Sequence, residues 1–223
     1  MRTRFDEQLQ KLNTEMIGMG SMIERAIESA GVLLSTRDLE SARTLRDGDN
    51  EVDRKEREIE TLCLRLILMQ QPVARDLRLI SAALKMITDM ERIADQASDI
   101  AEIITMPVEG ELLRLPAHLP QMAAETARMV HRAIDAYVTR DLTLARQVMQ
   151  DDDIVDELFT QVKEELMELI NSSCASGLAP IGMQLLDMLM IAKYFERSAD
   201  HAVNIAEWVE FAVTGEYKGD RLT

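Results

Sequence analysis

The sequence predicts an all-α protein built as two tandem, pseudo-symmetric three-helix bundles. Apolar residues recur at spacings of three and four over long stretches. Aromatic residues make up only 4% of the chain, and its apolar content comes mainly from Leu, Ile, Ala and 15 Met, a palette of good helix formers and gap fillers. Two blocks of the first half recur in the second, and no segment shows the alternation and β-branched enrichment of a strand.

The first helix is marked by Phe5, Leu9, Leu12, Met16, Met19, Ile23, Ile27, Ala30 and Leu34, one apolar stripe. STRD at 35–38 breaks it, and a second helix follows with Leu39, Ala42, Leu45, Val52, Ile59, Leu62 and Leu66. The loop QQPVARD leads into a third helix from about Val73 to Thr105, with Pro72 suited to its start because a first-turn N–H has no helical partner. Pro107, Gly110, Pro116 and Pro120 form the densest cluster of helix breakers and mark a connector. Met122, Ala123, Met129, Ala133, Ile134 and Tyr137 define the fourth helix; the fifth runs from about Leu142 to Asn171 and the sixth from about Ile181 to Val213. SSCASGLAPIG between the last two reads as a loop. The expected organisation is a first bundle over residues 1–106, a connector over 107–120, a second bundle over 121–214 and a tail over 215–223.

The duplication is explicit. ERIADQASDIAE at 91–102 and ERSADHAVNIAE at 196–207 share eight of twelve positions. Residues 38–67 align without gaps on 141–170 with nine of thirty identical, including Asp49 with Asp152 and Asp53 with Asp156. The offset is 103 in this block and 105 in the other, which places two extra residues near SSCASGLAPIG.

A formal net charge of −15 and a pI near 4.7 argue against phosphate-backbone contacts, so direct nucleic-acid binding is not expected. The same charge is repelled by anionic lipids, so membrane association is expected only through partners. No apolar run approaches the roughly 20 residues that cross a bilayer, and MRTRFDEQLQ lacks the core of a signal peptide, which predicts a cytoplasmic protein. Cys63 and Cys174 lie near the ends of equivalent helices and read as two reduced, buried thiols.

The repeated acids carry the chemistry. Glu91, Asp95, Asp99 and Glu102 fall at i, i+4, i+8 and i+11, one stripe of carboxylates; the sixth helix presents Glu196, Asp200, Asn204 and Glu207 in the same register. Asp49 and Asp53 share a face of the second helix, continued by Glu56 and Glu60, and the fifth helix offers Asp152 and Asp156. Like charges at i, i+4 disfavour a helix by roughly 0.2–0.5 kcal/mol per pair, so an all-acid stripe kept twice calls for a neutralising cation. Carboxylates with an occasional amide are hard ligands, suited to magnesium, calcium, manganese or oxidised iron, and several can bridge more than one ion. The competing reading is a solvated face paired with Arg54, Arg57, Arg92 and Arg197, where pairs are worth little.

With these motifs in place the chain resembles the PhoU family of phosphate-transport regulatory proteins. The resemblance rests on the two ERxADxAxxIAE blocks with DxxxD on the preceding helix, on FDEQLQKL and on QQPVARDLR. It implies metal sites at Asp49, Asp53, Glu91, Asp95 and Asp99 and at Asp152, Asp156, Glu196, Asp200 and Asn204, with Glu102, Glu207, Arg92 and Arg197 behind them. The implied ions are divalent or trivalent (iron, zinc, manganese, magnesium or calcium), in sites of one or several metals. The implied role is non-enzymatic: restraint of phosphate uptake and of the phosphate-starvation two-component response, by a homodimeric adaptor linking a phosphate ABC transporter ATPase to a phosphate-sensing histidine kinase. Asp99 against Asn204 predicts unequal sites.

Two rivals remain. A di-iron-type carboxylate enzyme calls for Glu-x-x-His pairs, and none is present; His118, His131 and His201 have no histidine counterparts in the other half and read as surface or packing residues. There is no glycine-rich phosphate loop and no nucleophile elbow. A metal-free structural adaptor is the second rival, distinguished by metal content. Trp208 reads as a core anchor matching Ile103.

Overall fold

The computed structural model describes residues 2–73, 75–108, 110–173, 179–217 and 220–221. Six helices follow in order: α1 (Arg2–Thr36), α2 (Leu39–Gln70), α3 (Arg75–Thr105), α4 (Leu119–Thr139), α5 (Leu142–Ser173) and α6 (Ala179–Thr214). None is long and apolar enough to cross a membrane. Two departures concern the ends. The tail forms a small antiparallel hairpin, β1 (Glu216–Tyr217) paired with β2 (Asp220–Arg221), after Gly215 ends α6 at φ +83. Pro120 lies in the first turn of α4 rather than in the connector, whereas Pro72 stands three residues ahead of α3.

The same four residues, Thr-Arg-Asp-Leu, turn the chain in both halves, at 36–39 and 139–142. Arg37 (φ 46) and Arg140 (φ 55) take the left-handed conformation that stops α1 and α4. The next residue caps the following helix. Asp38 accepts from the Glu40 N–H at 3.0 Å and the Ser41 hydroxyl at 2.6 Å, and Asp141 accepts from the N–H groups of Thr143 and Leu144 at 2.8 and 3.2 Å. Local chemistry therefore specifies two tight antiparallel helix pairs.

The halves do not keep separate cores. A single cluster of buried side chains runs through all six helices, from Leu12 and Met19 through Ile59, Met90 and Val130 to Val162 and Phe195. α3 lies antiparallel against α6, and α1 against α4 with Gly20 beneath Ile134 and Gly31 beneath Ala123. Each three-helix unit retains an apolar face after its own packing, and the other unit covers it. Trp208 belongs partly to a satellite cluster, stacked on Tyr217 at 4.2 Å and edge-on to Phe211 at 5.8 Å. Cys63 is a free, buried thiol that burial pushes up to about 12, chemically quiet at neutral pH; Cys174 lies outside the described residues.

Candidate metal centre

The first repeat brings its acids together between α2 and α3. Asp49 and Asp53, one turn apart on α2, meet Asp95 of α3, each offering an oxygen within 4.8 Å of the others. The Asp49 Oδ1 atom is buried and has no hydrogen-bond partner. Burial, then the carboxylates of Asp95, Asp53 and Asp99, push Asp49 up to about 6. Glu91, one turn before Asp95, is pushed up to about 7 by burial and by Asp95, against the pull of Arg92. Arg92 is the local counter-charge, 2.7 Å from Asp95 and 3.3 Å from Glu91, while Arg57 stands 3.8 Å from Asp53. These two guanidiniums leave Asp49 Oδ1 without a partner, and an orphaned buried oxygen in a cluster of acids is the donor set a hard cation needs. Glu56 adjoins, held above its ordinary pKa by burial and Glu60, with the Thr88 hydroxyl donating to it at 3.5 Å. Beside Asp49 an open cavity of about 390 Å³ lies between α1 and α2, reaching Arg25, Ser29, Ser41 and Thr44.

The second repeat is looser. Asp152 is pushed up to about 6 by burial, then by Asp200 and Asp156, and Asp200 is also raised, by burial and Glu196. These four acids therefore face one another across α5 and α6, yet among the described residues no trio there closes as the first-half trio does. Lys193, where the first repeat has Thr88, pairs with Glu196 at 2.5 Å and supplies an internal cation. Asp156 is exposed, and Arg197, the counterpart of Arg92, is exposed without an ion pair among the described residues. Glu102 is exposed and Glu207 half-buried.

The last position of each predicted ligand stripe has another use. The Asn204 amide donates to Asp89 Oδ1 across the α3–α6 seam at 3.0 Å, and His201 Nδ1 meets the same oxygen at 2.8 Å. Asp99 faces the Tyr194 phenol, which burial and then Asp99 hold above its ordinary pKa. Asp89 and Tyr194 are themselves equivalent under the repeat, as are Asp99 and Asn204. Each seam contact thus has one carboxylate and one neutral side chain, and the carboxylate has changed sides. The Asp99/Asn204 difference follows from this exchange. Nothing in the sequence singled out Asp89, because its counterpart is a tyrosine; its only trace is that Asn204 is neutral.

The histidines each meet a carboxylate: His118 with Glu165 at 2.5 Å, His131 with Glu24 at 3.0 Å and His201 with Asp89. They tie helices together and stand apart from the acidic trio.

The PhoU domain model matches residues 16–104 and again 119–209, most of the chain in two copies. The chain belongs to the PhoU family. Among curated relatives it is 34% identical over 217 residues to the phosphate-specific transport system accessory protein PhoU homolog of Clostridium acetobutylicum, covering 96% of both chains. It is 32% identical to the Pseudomonas aeruginosa PhoU homolog, covering 95% of this chain and 86% of that one. The crystal structure of PhoU from Pseudomonas aeruginosa superposes with a TM-score of 0.85 at 31% identity, over 95% of this chain and all of that one. The phosphate transport system regulatory protein PhoU of Streptococcus pneumoniae gives the same TM-score at 25% identity. The matched PhoU domains begin at Met16 and Leu119, so the first turns of α1 align with the connector, and the internal symmetry starts inside α1.

Proposed function

We propose that this PhoU-family chain is a metal-binding accessory regulator of phosphate-specific transport, not an enzyme. It restrains phosphate uptake and the phosphate-starvation response by linking the transporter ATPase to a sensor histidine kinase, as a cytoplasmic homodimer that meets the membrane through those partners. Full-length similarity to accessory proteins of phosphate transport supports the regulatory role. The observation that carries the metal reading is the convergence of Asp49, Asp53 and Asp95, with the Asp49 Oδ1 atom buried and unpartnered. In the first repeat Asp49, Asp53, Glu91 and Asp95 would hold the cation, and in the second Asp152, Asp156, Glu196 and Asp200; Asp99 and Asn204 serve the seam between repeats. A hard cation bound there would neutralise the acids and lock α2 against α3.

Metal analysis of protein purified from phosphate-replete cells should find iron, manganese or another hard cation, reduced in the Asp49→Asn, Asp95→Asn double variant to what the second repeat holds. Affinity capture from replete and starved cells should recover the transporter ATPase or the kinase in at least one state. Recovery of neither would defeat the adaptor role, and metal content equal in wild type and variant would defeat the site.

A further inference from the structure

The two repeats carry opposite charge on one outer face. In the first, Lys11 of α1 and Arg54, Arg57 and Arg65 of α2 line a single groove of about 450 Å³. Applying the 103-residue offset, Arg54, Thr61, Leu62 and Arg65 become Glu157, Glu164, Glu165 and Glu168. The fold therefore accepts acids at these positions, and packing does not explain the basic set. In a chain with 40 acidic and 25 basic residues, four cations on one groove are a concentration against the overall trend.

The groove's own acids are already engaged. Lys55 holds Glu15 at 2.9 Å and Glu58 at 3.4 Å. Lys11, Arg54 and Arg65 make no ion pair among the described residues, and Arg57 has only the 3.8 Å approach to Asp53. Three guanidiniums present planar forks of donors matched to phosphate oxygens, and a lysine adds a point charge. Leu62 is the only apolar residue in the lining, which leaves no pocket for the aromatic or aliphatic anchor of a protein partner. No aromatic ring lines it either, so a nucleobase would find nothing to stack on.

We propose that this groove is an anion site for a linear chain of phosphates, whether free inorganic polyphosphate or the phosphate tail of a nucleotide. Several adjacent charges engage several cations at once, whereas a single orthophosphate meets only one or two and must overcome the field of a chain of net charge −15. The groove adjoins the acidic trio through Arg57, 3.8 Å from Asp53, but shares no lining residue with it and does not depend on metal there.

Calorimetric titration of the full chain with sodium tripolyphosphate, in buffer without divalent cations, should give one-to-one binding that weakens with salt. Orthophosphate should bind far more weakly, and ATP no more tightly than tripolyphosphate. The Arg54→Glu, Arg65→Glu variant carries the residues of the second repeat, so it should fold and should lose affinity by about tenfold or more. Asp49→Asn should leave the binding unchanged. Unaltered affinity in the charge-reversed variant, no binding by wild type, or loss of binding in Asp49→Asn would each overturn the proposal. So would displacement of tripolyphosphate by short poly-glutamate at equal concentration, which would make the groove a docking surface for acidic protein segments. Tighter binding of ATP would move recognition to the base and overturn it equally.

Discussion

Replacing Asp49 with Asn should stabilise the metal-free protein while weakening its response to metal. Burial and three neighbouring carboxylates push Asp49 from 3.8 up to about 6. A folded-state value above the unfolded one means that the folded chain holds the proton more tightly. The contribution of Asp49 to stability is therefore complete below about pH 4 and is lost as pH rises through about 6. About two pH units correspond to ~3 kcal/mol at ~1.36 kcal/mol per unit, and solvent screening of a half-buried side chain reduces this to about 1 kcal/mol. Asn removes the charge and keeps the shape. In a chain of 223 residues the gain raises the melting temperature by about 2–4 °C. Thermal melts followed by circular dichroism, with chelator, at pH 4 and pH 7.5 should show this gain only at the higher pH. Added manganese or iron should then raise the wild-type midpoint by more than the variant's. A lower midpoint for Asp49→Asn at pH 7.5, or an equal gain at both pH values, would mean that Asp49 is not a strained carboxylate.

The seam between repeats offers two further checks. A Cβ on Gly20 would sit 2.7 Å from Ile134 Cγ2, so Gly20→Ala should destabilise by about 1–3 kcal/mol in urea unfolding, and most of the loss should vanish in an Ile134→Ala background. Asp89→Ala leaves the His201 ring and the Asn204 amide without their shared acceptor, at a cost of about 1–3 kcal/mol, while the metal content of the protein stays that of wild type.

Helix number and type were legible because each helix buries one stripe, and burial at spacings of three and four is written directly into residue order: Met16, Met19, Ile23, Ile27 and Ala30 are all fully buried. The turn at Thr-Arg-Asp-Leu was legible as a break, since capping is a contact between neighbours in sequence. The acidic trio was legible in its members, because duplication preserved Asp49, Asp53 and Asp95 together with their counterparts. Unequal sites were expected from Asp99 against Asn204, but what makes the second site differ was not legible. That depends on Lys193 reaching Glu196 from the preceding turn and on how closely α5 approaches α6, which no motif encodes. The stripe Glu91, Asp95, Asp99 looked uniform on a helical wheel, yet α3 is covered on two sides, and Asp99 lies where α6 crosses it rather than fully on the α2 face.

By itself the sequence determined an all-α, internally duplicated PhoU-type chain with acids repeated on paired helices, since periodicity, caps and repeats are properties of neighbouring or equivalent residues. Only the tertiary structure decided that the two bundles share one core, that Asp89 and Tyr194 exchange roles across the seam, and that the first-half acids converge more tightly than the second. These depend on the distance and rotation between helices far apart in the chain. A shift of an ångström or two there leaves every sequence pattern unchanged, and it decides which carboxylates meet a cation and which meet another side chain.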